Sequence, residues 1–153
     1  MVEATTPRVQ PEPKPHGVAG WLFLPMLGTL LNPLWLAKVI YEMVQLLFTV
    51  AIENPALKGF ITVELVLNLG LCVGWFYALY LLARYRAQYP PLFIVLALAM
   101  FVFLTADVAA LHFGFGLPVQ PNDLAVIVGA LIFAAIWVPY MLRSRRVRNT
   151  FVK

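Results

Sequence analysis

Glu64 and Asn68 stand four residues apart in ITVELVLN, an otherwise apolar stretch, and Asp107 interrupts a second such stretch. Carboxylates in these surroundings can hold a proton, a cation or a basic side chain, because an isolated charge in hydrocarbon is costly unless paired or hydrated. A spacing of four places Glu64 and Asn68 on one face of a helix, and Cys72 continues that face. Lys38, Glu42 and His112 are the other polar groups close enough in sequence to the apolar segments to join them.

Two readings fit this set: a polar pocket or proton-handling site lined by Glu64 and Asp107, or a buried network that fixes helix packing. In the network, Glu64 or Asp107 pairs with Lys38, and Asn68 bonds across helices. The network is the simpler reading. Carboxylates alone do not define an enzyme, and the other catalytic patterns are weak. His112 has no HxxxH or HxxE companion, so a metal site is not expected. Ser144, the one serine, has no histidine nearby, and neither GxxxxGK[ST] nor GxGxxG occurs. No catalytic residue, metal or cofactor is assigned, and the chain is expected not to be an enzyme.

The elements that must position these residues follow from composition. Of 153 residues, 62% are hydrophobic and 12% charged, and the mean hydropathy is +0.85. That is more apolar surface than one soluble core of this size could bury, so lipid must solvate it. The length leaves no room for a soluble catalytic domain beside several spans. Cys72 is the single cysteine, which excludes an intramolecular disulfide and leaves a small packing residue.

A helix crossing about 30 Å of hydrocarbon needs about 20 mostly apolar residues. Four segments qualify, at about 18–37, 60–83, 92–111 and 124–142, separated by the turn-rich stretches 53–59, 84–91 and 114–123. They form one four-span membrane domain, 17–153, ending in a basic tail at 143–153. Residues 1–16, MVEATTPRVQPEPKPH, are polar and Pro-rich and read as a disordered tail rather than a cleaved signal sequence. Pro25 and Pro33 lie inside the first span, which is expected to be bent or partly broken.

Lysine and arginine set the direction of insertion. Arg8, Lys14, Arg84, Arg86, Arg143, Arg145, Arg146, Arg148 and Lys153 fall on one side if the spans are even in number; Lys58 and the edge residue Lys38 fall on the other. Both termini are therefore expected in the cytoplasm. The net charge of +4 sits at span ends rather than on a soluble basic face, so nucleic acid is not an expected partner. The four tail arginines act as a topological anchor and can hold anionic lipid headgroups, at about 1 kcal/mol each.

In this orientation Glu64 lies about 6 Å and Asn68 about 12 Å below the outer surface, and Asp107 lies about 22 Å along a span rising from the cytoplasm. With Lys38, Glu42 and His112 they are expected to converge on the outer half of the membrane. Between the first two spans, at 38–53, Lys38, Glu42, Gln45, Thr49 and Glu53 form one polar stripe. This segment is either an interfacial amphipathic helix, the reading slightly preferred, or a continuation of the first span whose stripe faces other protein. GLCVG, with Gly70 and Gly74, Ala106 with Ala110, and Ala125 with Gly129 mark where helix backbones can approach closely.

GWLFLPMLGTLLNPLWL at 20–36, ITVELVLN at 61–68, Asp107, and IWVPYMLRSRRVRNTFV at 136–152 resemble the bacterial inner-membrane family known as domain of unknown function 2569 (DUF2569). The resemblance covers nearly the whole chain after residue 16. Position by position it falls on Gly20, Trp21, Leu22, Pro25, Gly28, Pro33, Glu64, Asn68, Asp107, Trp137, Pro139, Tyr140, Ser144, Arg146, Val147, Thr150 and Phe151. It implies a small four-span protein of the bacterial inner membrane with no assigned activity. Topology needs only charge, so the uncharged Ser144, Thr150 and Phe151 within the tail word imply that the tail docks on the bundle or on a partner.

The expected protein is an all-α, integral membrane four-helix bundle with both termini cytoplasmic. Its expected role is that of an accessory, assembly or stabilising subunit of a larger inner-membrane complex, in contact with other membrane proteins and lipid. The alternative is a small oligomeric transporter or ion-coupled permease using Glu64 and Asp107; a membrane enzyme acting on a lipid or quinone ranks third.

Overall fold

A computed structural model describes residues 20–49 and 54–152. The expected disordered tail 1–16 lies outside the described residues, as do Glu53 and Lys153. A 3-10 turn, Gly20–Leu22, leads into α1, Phe23–Thr49, followed by α2, Pro55–Ala83, α3, Tyr89–Phe115, α4, Pro121–Arg143, and the short α5, Arg145–Thr150. The described residues contain no strand. Helices α1 to α4 are each long and apolar enough to cross a membrane, and the chain is a multi-pass membrane protein. The shortest, α4, has 23 residues, about 35 Å at 1.5 Å per residue, which exceeds the hydrocarbon thickness.

Local chemistry sets the helix ends. Asn54 caps α2 by accepting from the Ala56 and Leu57 amides, with Pro55 in the first turn, where its missing N–H is not needed. The Gln120 amide donates to Asp123 Oδ2 at 2.8 Å and starts α4, again with a proline, Pro121, at the first position. Helix α3 ends where Gly116 turns left-handed at φ 68°, its amide donating to the His112 carbonyl. Ser144 ends one helix and caps the next: its amide donates to the Tyr140 carbonyl, and its Oγ accepts from the Val147 amide.

Short connections make sequential helices antiparallel neighbours, α1 on α2, α2 on α3 and α3 on α4. Helix α1 meets α4 where Gly28 faces Phe133: a Cβ built on Gly28 would stand 3.1 Å from that ring. The core is concentrated toward one end of the bundle, where Leu22, Pro25, Thr29, Tyr89, Phe93 and Val147 are fully buried. Tyr89 Oη lies 2.8 Å from Thr29 Oγ1, which is 2.9 Å from the Pro25 carbonyl. Because the threonine hydrogen serves that carbonyl, Tyr89 is the donor to Thr29. Apolar side chains such as Leu34, Val66, Val102 and Ile132 point outward, as a lipid-solvated surface requires.

The first span is neither partly broken at its prolines nor followed by a separate helix. Helix α1 starts at Phe23 and runs unbroken past Pro33 to Thr49, so residues 38–49 are not a separate interfacial helix. Pro25 sits in the first turn, where no helical hydrogen bond is lost, and neighbouring helices hold the backbone around Pro33, whose carbonyl lies 3.7 Å from Cys72 Sγ. Lys38 and Glu42 are exposed, so this part of the stripe does not face protein of the same chain.

Candidate functional site

Helices α2 and α3 are antiparallel, so residues at equal distances from their far ends are level. Glu64 lies nine residues from the start of α2 and Asp107 eight from the end of α3, about 14 Å and about 12 Å along the axes. Both line one cavity of about 200 Å3. Its walls repeat at helical spacing: Phe60, Val63 and Leu67 flank Glu64 on α2, and Phe103, Ala106 and Ala110 flank Asp107 on α3. The Ala106–Ala110 pair, expected to let backbones approach, instead opens room beside the carboxylates.

Asp107 Oδ1 is buried without a hydrogen-bond partner among the described residues. Lys38 pairs instead with Glu42, 3.3 Å away and one turn on along the exposed face of α1, and not with Glu64 or Asp107 as the packing network required. Two carboxyl groups thus share an apolar recess without a counter-charge from the described residues, an arrangement that demands a proton or a cation from elsewhere. Among the described residues no three His, Cys, Asp or Glu side chains converge as a metal ion would require.

The six polar residues expected to converge separate into distinct environments. Asn68 is buried, but against α1: its Nδ2 donates to the Glu64 carbonyl at 3.1 Å and lies 3.6 Å from Met43 Sδ. Each step of four residues turns about 40° around a helix, so Glu64 faces α3 while Asn68 and Cys72 face α1. His112, five residues beyond Asp107, turns to another side, where its Nδ1 lies 2.9 Å from the Leu117 carbonyl and it lines a separate cavity with Asp123. Lys38 and Glu42 are on the exposed face of α1, their side chains 70% and 58% accessible. Of the GxxxG pair, Gly74 is a close approach, since a Cβ there would stand 2.8 Å from Leu96 Cδ2; Gly70 has nothing within 4 Å.

The basic tail folds back on the bundle. Val147, Thr150 and Phe151 are buried while Arg143, Arg145 and Arg148 stay exposed and Arg146 is half-buried. The Phe151 ring lies 4.8 Å from Tyr89 and 6.4 Å from Tyr85, and Tyr85 reaches it from a left-handed turn at φ 53°. Trp137 stacks edge-on with Tyr140 at 5.7 Å, Pro25 and Pro33 are buried, and Trp21 and Pro139 are exposed. Tyr89 was not singled out from the sequence; a tyrosine opening a span beside Pro90 and Pro91 is a local signal for it, but its partners come from other helices.

Comparison with curated proteins finds no match, and comparison with solved structures finds none. A family model described as a protein of unknown function, DUF2569, matches residues 15–152. With the four spans, the buried prolines of α1 and the docked tail in place over that same length, the chain belongs to the DUF2569 family.

Proposed function

We propose that this protein is a non-enzymatic component of the bacterial inner membrane, an accessory, assembly or stabilising subunit of a larger complex. One observation carries the reading: Glu64 and Asp107 share a recess at membrane depth with no counter-charge from the described residues. A lysine or arginine from a partner's span supplies that charge, since intramembrane ionisable groups pair with one another. Both termini lie in the cytoplasm, following the lysine and arginine distribution. The exposed Arg143, Arg145 and Arg148, with Arg146 beside them, hold anionic headgroups at that face while α5 anchors the tail.

The test is purification from the native membrane in gentle detergent, followed by native electrophoresis and mass spectrometry. A stoichiometric larger complex is expected, and Glu64→Gln with Asp107→Asn should release the protein from it without loss of folding. A clean homo-oligomer in both forms overturns the subunit reading.

A second reading is supported by the same recess, which has room for a proton or small cation between the two carboxyl groups: a small ion-coupled permease acting as an oligomer. Proteoliposomes then show cation or proton flux in the native protein and none in the double variant. Equal flux in the two removes this reading.

A further inference from the structure

One face of α1 points away from the other described helices and carries charge at a level where lipid surrounds the bundle. Leu24, Leu31, Trp35, Lys38 and Glu42 are all exposed on it, and Lys38 and Glu42 form their ion pair there. The level of the pair is set by α2. Met43, next to Glu42, has its Sδ 3.6 Å from Asn68 Nδ2, and Asn68 lies near the middle of the 29-residue α2. Leu46 and Phe48 continue the exposed apolar surface beyond the pair, so the two charges stand within the apolar belt and not past its edge. Ionisable side chains at such depth ordinarily face the interior of a bundle. An outward-facing pair requires cover that the described helices do not provide.

The spacing of this face describes the cover. Leu24, Leu31 and Lys38 recur every seven residues, as do Trp35 and Glu42, so the five lie within about 60° around the helix. A seven-residue repeat is the pattern that keeps one line of a helix against a partner helix. Lys38 and Glu42 are four residues and so about 40° apart, one to each side of the line through Leu31. Two copies inserted in the same direction are related by a twofold axis along the membrane normal, which puts the same residue at the same depth on opposite sides of that line. Lys38 of either copy then stands beside Glu42 of the other, one turn away and within reach of the flexible lysine stem. The face is complementary to itself, because each charge meets its opposite.

We propose that α1 pairs with α1 of a second copy through this face. Leu24, Leu31 and Trp35 pack along the twofold axis, and the two Lys38–Glu42 pairs join into one network of four charges removed from lipid. A span from another protein would need the opposite charges at matching depths, whereas a second copy has them by symmetry. The pairing shares no residue with the carboxyl recess and is independent of the subunit reading: a dimer can enter a larger complex as a unit, and Glu64→Gln with Asp107→Asn leaves the dimer intact.

The test is disulfide cross-linking of the full-length protein in its native membrane with copper phenanthroline, in a Cys72→Ala background. Leu31→Cys should give dimers where Val102→Cys, on the exposed side of α3, gives none. Adding Lys38→Glu or Glu42→Lys to Leu31→Cys places like charges together, and each should cut cross-linking at least about fivefold. Expressed together under different tags, the copy with Lys38→Glu and the copy with Glu42→Lys should cross-link to each other as the unaltered chains do, although neither keeps an ion pair of its own. Cross-linking of Leu31→Cys that is no greater than that of Val102→Cys, or that joins it only to a different protein, overturns the proposal. So does a mixed pair that cross-links no better than either charge variant alone. If the charge variants do not accumulate, two further positions decide: Leu24→Cys should cross-link, and Leu34→Cys, turned about 60° from Leu31, should not. Equal cross-linking at those two positions also overturns the proposal.

Discussion

The Tyr89 hydroxyl joins the first and third spans through its hydrogen bond with Thr29. Thr29 Oγ1 keeps its bond to Pro25 when that donor is removed, so Tyr89→Phe isolates the cross-helix term. The expected loss is about 1 kcal/mol, measured by denaturant titration in micelles, and Thr29→Val combined with it should cost less than the sum of the two single changes. Strict additivity would mean the two hydroxyls do not interact. Asn68 works differently, tying α2 to α1 through the Met43 thioether, a weak acceptor. Its contribution lies mostly in occupying buried space between two helices.

At the scale of an element, α5 is too short to be stable alone, and its six residues hold their shape through Ser144 at one end and Phe151 at the other. Phe151→Ala should cost about 3 kcal/mol and expose the segment after Arg143 to protease while leaving the direction of the spans unchanged, as judged by reporter fusions at the C-terminus. Inverted topology would show that the tail acts through insertion and not through docking. The α2–α3 contact yields a paired test within one GxxxG. Gly70→Ala should raise stability by up to about 1 kcal/mol, because alanine is the better helix former and the space is open. Gly74→Val should lower it by about 1–3 kcal/mol, because the added methyl groups meet Leu96. Thermal unfolding in detergent ranks the two variants.

Over the whole molecule, packing is uneven. The end holding Tyr89, Phe93, Leu22 and Val147 is densely buried, while the opposite end contains the carboxyl recess and the His112 cavity. Local opening follows contact density, so backbone amides around Phe60–Leu67 and Phe103–Phe113 should exchange hydrogen at least about tenfold faster than those around Ala78–Leu82 and Phe93–Ala97. Mass spectrometry of the protein in lipid nanodiscs measures this, and uniform protection along α2 and α3 would contradict it. The loosely packed end is where a partner's charged side chain could insert with the least disturbance, which ties this unevenness to the proposed subunit role.

Which parts of this were legible from residues alone follows from how far each property reaches along the chain. Four spans and their approximate limits were determined by the sequence, because transfer into lipid sums over about 20 consecutive residues. The tail word containing Ser144, Thr150 and Phe151 signalled docking, because uncharged residues have no part in a charge-based anchor. Tertiary structure alone decided which polar groups meet. A spacing of four keeps residues near one face but rotates each by about 40°, enough to turn Glu64 toward α3 and Asn68 toward α1, and to separate His112 from Asp107. It also decided that only Gly74 of its pair is closely approached, since that depends on Leu96, a neighbour distant in sequence, whereas the Lys38–Glu42 pair is a local contact within α1.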